Sequence, residues 1–244
     1  MVSRIVSLAP SATATLSALG IADRVVGVTA HCDLDRPTVG GWLNPDYETI
    51  AELSPDLVCT SDGLQREIRD ELRERDYRVH HHEPSRLDEV LAGFKSLAAA
   101  AGVDDAGEEL VADCRQRLDA VAERIASDDD RPVVYCEEWS DPPMAAGNWV
   151  PDAVEAAGGR YPFVDPGDRS QEVDHGAVVD TDPDHAVLHI CGTGDDVSAD
   201  RFADRGWSLD AEVHVVDDSL LNQPSPKLID GIELLAARLS PERS

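Results

Sequence analysis

Lysine, paired cysteines and long apolar runs are scarce or missing in this sequence of 244 residues. Lys95 and Lys227 are its only lysines, and 49 acidic residues against 21 basic ones give a formal net charge of -28. A surface this acidic repels phosphate, so we exclude nucleic acid as a partner. Its like charges also repel one another in dilute buffer, because only molar salt shortens the Debye length to about 3 Å. We therefore predict a protein adapted to a salt-rich medium.

The cysteines and the apolar residues exclude further classes of protein. The five cysteines are odd in number and widely spaced, so we expect free thiols and no structural zinc site. No apolar run approaches the roughly 20 residues that span a bilayer, which predicts no membrane insertion. The start of the chain, Met1 to Leu8, lacks the features of a signal segment, and we expect a cytoplasmic protein. An extracellular location is the alternative if the true start lies upstream.

Strand-like and helix-like segments alternate along the chain. Residues 4–8 and 56–60 are typical of short buried strands, and Pro10 and Pro45 are placed to open helices. After residue 130 the alternation begins again. Such alternation predicts parallel sheets with helices on both faces.

Residues 104–127 interrupt this alternation. Their apolar side chains recur at spacings of three and four, which predicts one helix of about six turns. We therefore predict an α/β protein with two Rossmann-like lobes, each with a parallel sheet, bridged by this long helix. The predicted boundaries are 1–103 for the N-terminal lobe, 104–127 for the bridging helix and 131–244 for the C-terminal lobe.

Ligands of open parallel sheets bind beyond the carboxyl ends of the strands. This rule selects the loops at residues 10–13, 61–63, 137–149, 191–194 and 217–219. If the two lobes face each other, these loops meet at a shared cleft. We expect the ligand to bind there.

The loop at residues 137–149 is the most distinctive of these. Trp139 and Trp149 flank Pro142-Pro143 and Asn148, so large aromatic faces lie on a stiffened backbone. A stiff aromatic loop binds a bulky, partly apolar ligand at low cost in conformational entropy. The alternative is that both indoles pack within their own lobe.

Enzyme signatures are missing: no nucleophile elbow, phosphate loop or dinucleotide fingerprint occurs. Glu137, Glu138 and Asp141 could supply acid-base chemistry, but chance proximity explains them in so acidic a chain. His80 and His82 could share a metal, because they point to the same side of a predicted strand. With no third ligand defined, we expect a solvated strand end and no metal site.

Several short motifs follow one another along nearly the whole chain. They include Ser7-Leu8-Ala9-Pro10-Ser11-Ala12-Thr13, Ser54-Pro55-Asp56-Leu57-Val58, Gly147-Asn148-Trp149-Val150-Pro151 and Ser225-Pro226-Lys227. In this order they resemble the cobalamin-binding branch of the helical-backbone substrate-binding proteins. That family serves ABC importers of corrinoids, ferric siderophores and haem.

The resemblance implies two α/β lobes bridged by one rigid helix, with a shallow cleft between them. The implied ligand is cobalamin or a related corrinoid, bound as cargo and not as a catalytic cofactor. The resemblance implies ligand contacts, without catalysis, at Trp42, Ser61, Asp62, Trp139, Trp149 and Ser219. From the stiff loop we add Pro142, Pro143 and Asn148.

The resemblance also implies an ABC importer permease as a partner. The secreted cobalamin carrier docks through an acidic residue on each lobe, whereas the matching places here hold Arg66 and Asn222. We expect a monomeric, non-catalytic, intracellular corrinoid-binding protein. Two alternatives stay open: an exported importer component for a ferric siderophore, haem or corrinoid, and a cytoplasmic enzyme that acts on a corrinoid.

Overall fold

The computed structural model describes residues 2–125, 131–207 and 209–239. The chain folds into two compact units. The first comprises Met1–Pro84 and Asp88–Cys114, and the second comprises Ser85–Leu87 and Arg115–Ser244. Within the described ranges, no helix combines the length and the apolar character needed to cross a membrane.

The first unit is built on one parallel sheet. Its strands are β1 (Ile5–Ser7), β2 (Val25–Val28), β3 (Leu57–Ser61) and β4 (Val79–His82). They pair in the order β2-β1-β3-β4, with every pair parallel. The helices that follow are α1 (Pro10–Ala18), α2 (Tyr47–Leu53), α3 (Arg66–Glu74), α4 (Leu87–Ala101) and α5 (Asp104–Ala122).

Neighbouring residues of β1 enter two different cores, because successive side chains of a strand point to opposite faces. Ile5 packs in a cluster with Leu16 of α1, whereas Val6 packs with Ile50 of α2 and Leu72 of α3. All five side chains are fully buried. Helices therefore cover both faces of this sheet, as the continuous apolar strands predicted.

The second unit is built on a five-stranded sheet. Its strands are β5 (Val134–Ser140), β6 (Pro143–Ala145), β7 (Gln171–Glu172), β8 (His185–Leu188) and β9 (Glu212–Val215), in the order β7-β6-β5-β8-β9. Its helices are α6 (Val150–Ala156), α7 (His175–Thr181), α8 (Asp200–Ala203) and α9 (Lys227–Leu239). Strands β5, β8 and β9 are parallel, but β6 and β7 are antiparallel.

The prediction of two parallel sheets is therefore wrong for the second unit, whose sheet is mixed. Residues 137–149 were predicted to form one loop, but β5 continues to Ser140 and the chain turns back into β6 at Pro143. Pro142 and Pro143 were expected to stiffen a loop, but Pro143 is the first residue of β6. A proline at the first residue of a strand is nevertheless compatible with pairing, because the ladder does not need its missing N–H.

Helix α5 is the long helix that the apolar spacing predicted. It begins at Asp104 and ends at Ala122, and the boundary between the two units falls within it, after Cys114. The prediction extended this helix to residue 127, but residues 123–125 lie beyond its end, and residues 126 and 127 lie outside the described residues.

Candidate functional site

A buried glutamine joins three loops at the carboxyl edge of the first sheet. Gln65 is fully buried, and its Nε2 donates to the carbonyl oxygens of Leu8 (3.0 Å) and Trp42 (2.6 Å). Its Oε1 accepts from the backbone N–H of Ser61 at 2.7 Å. The carboxyl edge of this unit is thus held by one side chain that the sequence analysis missed. Ser61 is only four residues away, but Leu8 and Trp42 lie 57 and 23 residues away, so the local sequence does not reveal these contacts.

The three predicted contacts of the first unit differ in how their side chains are used. The Ser61 hydroxyl is buried and donates to the carbonyl oxygen of His82 at 2.8 Å. The Asp62 carboxylate accepts from the backbone N–H of Leu64 at 2.8 Å and caps the 3-10 turn Gly63–Gln65. Trp42 is held through its backbone and is half-buried. Trp42 therefore has the side chain best placed to offer contact area.

Trp139 presents its indole to solvent near the end of β5. The residue is 48% exposed, and its Nε1 donates to the carbonyl oxygen of Asp141 at 2.9 Å. This bond fixes the ring against the turn that leads to β6. Pro142, which follows a cis peptide bond, is exposed, and Pro143 is half-buried. The turn therefore displays an aromatic face on a backbone-anchored ring.

An open pocket of ≈ 540 Å³ adjoins this turn. It lies between the end of β5 and the segment of α8, and it is lined by Ser140, Asp141, Ser198, Asp200, Asp204 and Arg205. Three carboxylates, two hydroxyls and one guanidinium make this lining rich in hydrogen-bonding groups. Such a pocket suits a ligand with many polar substituents.

Arg205, which lines the pocket, forms an ion pair with a buried carboxylate. Glu137 is fully buried, and its two carboxylate oxygens accept from Arg205 at 2.5 and 2.6 Å. The hydroxyls of Tyr135 (2.9 Å) and Ser140 (2.8 Å) donate to the same carboxylate. The hydrogen bonds that Arg205 donates to Glu137 raise the pKa of Arg205, and burial, followed by the neighbouring Glu137 charge, raises the pKa of Tyr135. Glu137 is therefore not one of the scattered surface acids assumed from composition.

Asn148 has a left-handed backbone, with φ of 52°. Its backbone N–H donates to the carbonyl oxygen of Asp168 at 2.5 Å, and its carbonyl oxygen accepts from Gly167 at 3.0 Å. The preceding Gly147 passes so close to this segment that a Cβ atom would lie 2.4 Å from the Asp168 carbonyl oxygen. Contact with residues 167–168, and not the prolines alone, stiffens this part of the chain.

Trp149 lies in the interior of the second unit. It is 6% exposed, and its Nε1 donates to the carbonyl oxygen of Leu221 at 2.8 Å. The indole therefore ties the start of α6 to the 3-10 turn Asp218–Leu220, which contains Ser219. Ser219 itself is half-buried, and its backbone N–H donates to Asp217 Oδ1 at 2.8 Å.

His189 follows β8 at the same edge of the sheet and was not singled out in the sequence. It is fully buried, its Nδ1 is hydrogen-bonded to Asn222 Oδ1, and its carbonyl oxygen accepts from Asn222 Nδ2 at 2.9 Å. Burial lowers the pKa of His189 to about 4. Asn222, the predicted counterpart of a docking acid, is thus engaged in fixing the loop after β8.

The histidines of β4 are not the solvated strand end that the sequence suggested. His80, His81 and His82 are all half-buried, and all three belong to β4. His80 Nε2 is hydrogen-bonded to Ser96 Oγ at 3.0 Å, and His82 Nε2 to the carbonyl oxygen of Glu89 at 3.2 Å. Their shared face packs against α4.

Comparison with known proteins identifies the class to which this architecture belongs. A sequence profile described as periplasmic binding protein matches residues 5–209, and the chain belongs to that family. The solved structure of the periplasmic vitamin B12 binding protein of Vibrio cholerae has the same fold, with a TM-score of 0.79 and 24% identity over 98% of this chain and 96% of that one.

Three relatives are similar in sequence along almost the whole chain. The vitamin B12-binding protein of Vibrio cholerae serotype O1 is 25% identical over 97% of this chain and 88% of its own. The cobalamin-binding protein of Halobacterium salinarum is 27% identical over 96% of this chain and 68% of its own. An uncharacterized ABC transporter substrate-binding lipoprotein of Bacillus subtilis is 27% identical over 98% of this chain and 80% of its own.

These findings correct the expected location. The prediction of a cytoplasmic, intracellular protein is wrong, because the family is one of periplasmic binding proteins and the relatives include a periplasmic protein and a lipoprotein.

Proposed function

We propose that this protein is the substrate-binding component of an ABC importer and that its substrate is cobalamin or a related corrinoid. The named relatives match along almost the whole chain, so the similarity includes the loops at the carboxyl edges of both sheets. The observation that carries the proposal within this molecule is the exposed indole of Trp139, anchored to the Asp141 carbonyl oxygen beside a polar pocket.

A corrinoid needs both kinds of surface that this edge supplies. Its macrocycle is broad and largely apolar, and an anchored indole offers such a ring contact area at low entropic cost. Its periphery carries amide side chains, which are donors to carboxylates and acceptors from hydroxyls and guanidinium groups. The pocket lined by Asp141, Asp200 and Arg205 matches that periphery.

The proposed role is binding without catalysis. Glu137, whose carboxylate pairs with the pocket-lining Arg205, is fully buried and accepts hydrogen bonds from Arg205, Tyr135 and Ser140. A carboxylate with all of these donors is committed to structure and is poorly suited to exchange protons with a ligand.

The test is a titration of the purified chain in molar salt with cobalamin and cobinamide, followed by tryptophan fluorescence and by the visible spectrum of the corrinoid. We expect saturable binding of one corrinoid per chain. Haem and a ferric siderophore are titrated in parallel, and tight binding of either with none of a corrinoid would contradict the proposal.

Trp139 supplies a matched pair of variants for the same titration. Trp139→Ala removes an exposed ring, and we expect corrinoid affinity to fall at least about fivefold with little change in thermal stability. Trp139→Phe keeps an aromatic face and should retain most of the affinity. Equal affinity in all three proteins would show that the ligand does not use this indole.

A further inference from the structure

Two histidines and a glutamate meet at the amino edge of the second sheet. His185 and Glu212 are the first residues of β8 and β9 and are direct partners in the parallel register. His214 follows two residues after Glu212, so it shares a face with it. The cluster therefore lies at the edge opposite the loops after β5, β8 and β9, which carry the candidate ligand contacts.

The ligand atoms of this cluster are close enough to share one ion. His185 Nδ1 and His214 Nε2 are 3.0 Å apart, and the Glu212 carboxylate oxygens lie 3.8 Å from each of them. All of these atoms lie within 4.8 Å of one another. Two imidazole nitrogens bound to one zinc ion at about 2.0–2.1 Å are separated by a similar distance.

Burial and charge make the cluster suitable for a transition-metal ion. The His214 side chain is 2% exposed and that of His185 is 14% exposed. Both residues lie on paired strands, whose backbone hydrogen bonds fix the positions of the two imidazoles. The Glu212 side chain is 68% exposed, which leaves one side of the cluster open to water.

We propose that His185, Glu212 and His214 form a binding site for Zn²⁺ or a similar divalent transition-metal ion, with water as the fourth ligand. Two nitrogen ligands and one carboxylate are a donor set that zinc accepts in proteins. Hard cations such as Mg²⁺ prefer sites made of oxygen ligands alone. The site is independent of the corrinoid proposal, because it lies at the other edge of the sheet.

The guanidinium of Arg238 lies where it disfavours metal binding by His214. Arg238 Nη1 lies 3.4 Å from His214 Nδ1 and donates toward it. An imidazole that binds a metal through Nε2 carries its proton on Nδ1, so this guanidinium has to move away on loading. Arg238 is exposed at the end of α9 and has room to do so. Substitution of Arg238 therefore provides a second, independent test of the metal site.

The experiment is a calorimetric titration of the chelator-treated full chain with Zn²⁺, in excess Mg²⁺ so that surface carboxylates are occupied. We expect one Zn²⁺ per chain, and an affinity at least about tenfold lower in Glu212→Gln and in His185→Gln. His175→Gln, which changes an exposed histidine of the same unit, is the matched control and should bind like the unchanged protein. Glu212→Gln alters an exposed side chain, so its fold should be intact.

Two further measurements separate this site from adventitious binding. Arg238→Gln replaces the competing donor with a group whose oxygen can accept from Nδ1–H, and we expect Zn²⁺ to bind up to about tenfold more tightly. Co²⁺ should give the visible absorption of a low-coordinate nitrogen and oxygen site in the unchanged protein, and lose it in His185→Gln. Absence of saturable Zn²⁺ binding, or binding unaffected by His185→Gln and Glu212→Gln, would overturn the proposal.

Discussion

Gln65 Nε2 donates a hydrogen bond of 2.6 Å to the carbonyl oxygen of Trp42, 23 residues earlier in the chain. The same amide reaches Leu8, so a single side chain sets the spacing of three loops at the carboxyl edge of the first sheet. The position of Trp42 therefore depends on Gln65 as well as on the loop in which Trp42 lies.

We predict that Gln65→Ala lowers the free energy of unfolding by about 1–3 kcal/mol, because it leaves buried backbone groups without partners. Corrinoid affinity should fall with it, since the loop of Trp42 is released. Chemical denaturation and the corrinoid titration measure the two effects. Gln116→Ala, at an exposed position of α5, is the matched control and should change stability by no more than about 0.5 kcal/mol. A Gln65→Ala protein as stable as this control would contradict the assigned role.

Trp149 should behave differently from Trp139, although both indoles belong to the same short segment. Trp149→Phe keeps most of the buried ring but removes the donor to the Leu221 carbonyl oxygen. We expect a loss of about 1–3 kcal/mol in stability, because that carbonyl oxygen loses its partner. Thermal unfolding of Trp149→Phe beside Trp139→Phe measures the difference. Equal melting temperatures for the two variants would show that the bond contributes little.

The sequence could predict features that depend on neighbours along the chain. Pro10 opens α1 as expected, and the continuous apolar residues Ile5 and Val6 correctly indicated a strand covered on both faces. The alternation of strands and helices predicted the α/β class for the same reason. Each of these signals is local, so one sequence is enough to find it.

The candidate site could be predicted only in part, because burial is decided by distant partners. Nothing near Trp149 shows that Leu221, 72 residues later, accepts its N–H, and nothing near Trp139 shows that it remains exposed. His185 and His214 are 29 residues apart and meet only through the register of β8 with β9. Such pairs require the sheet order, which a single sequence does not specify.

The buried pair of Glu137 and Arg205 gives a prediction about stability. Arg205→Leu removes the guanidinium and leaves the carboxylate of Glu137 fully buried without its counter-ion. We expect the free energy of unfolding to fall by about 3–5 kcal/mol. Urea denaturation at neutral pH measures this loss.

The control for that experiment is the double variant Glu137→Leu with Arg205→Leu. Because both charges are then absent, we expect it to recover a large part of the stability lost in Arg205→Leu. If Arg205→Leu alone lowers the free energy of unfolding by less than the double variant does, the ion pair does not stabilise the fold in the way that its geometry indicates.

His189 makes stability depend on pH. Burial lowers its pKa from 6.5 to about 4, so in the folded protein it stays neutral where an unfolded chain has already taken up a proton. The unfolded state therefore binds more protons between these values, and stability falls as pH decreases from 6.5 toward 4. The contribution reaches up to about 3 kcal/mol at the lower end.

Denaturation at a series of pH values between 4 and 7 measures this slope. His189→Gln has no proton to take up and can still pair with Asn222, so its slope should be smaller than that of the unchanged protein. His31→Gln, at an exposed position, is the matched control and should keep the original slope. Identical slopes in all three proteins would exclude His189 as the source.

The net charge of -28 predicts a strong dependence of stability on salt. Repulsion among the acidic side chains opposes the compact state, and molar salt screens it by shortening the Debye length to about 3 Å. We expect the melting temperature to rise by at least about 5 °C between dilute buffer and molar KCl, a change of a few kcal/mol in a chain of this size.

A triple variant, Glu108→Gln, Glu109→Gln and Asp113→Asn, removes three exposed charges from α5 and separates screening from other effects of salt. Screening predicts that this variant is more stable than the unchanged protein in dilute buffer and equal to it in molar KCl. A constant difference at every salt concentration would instead show that these substitutions act locally and that charge repulsion does not limit the stability of this fold.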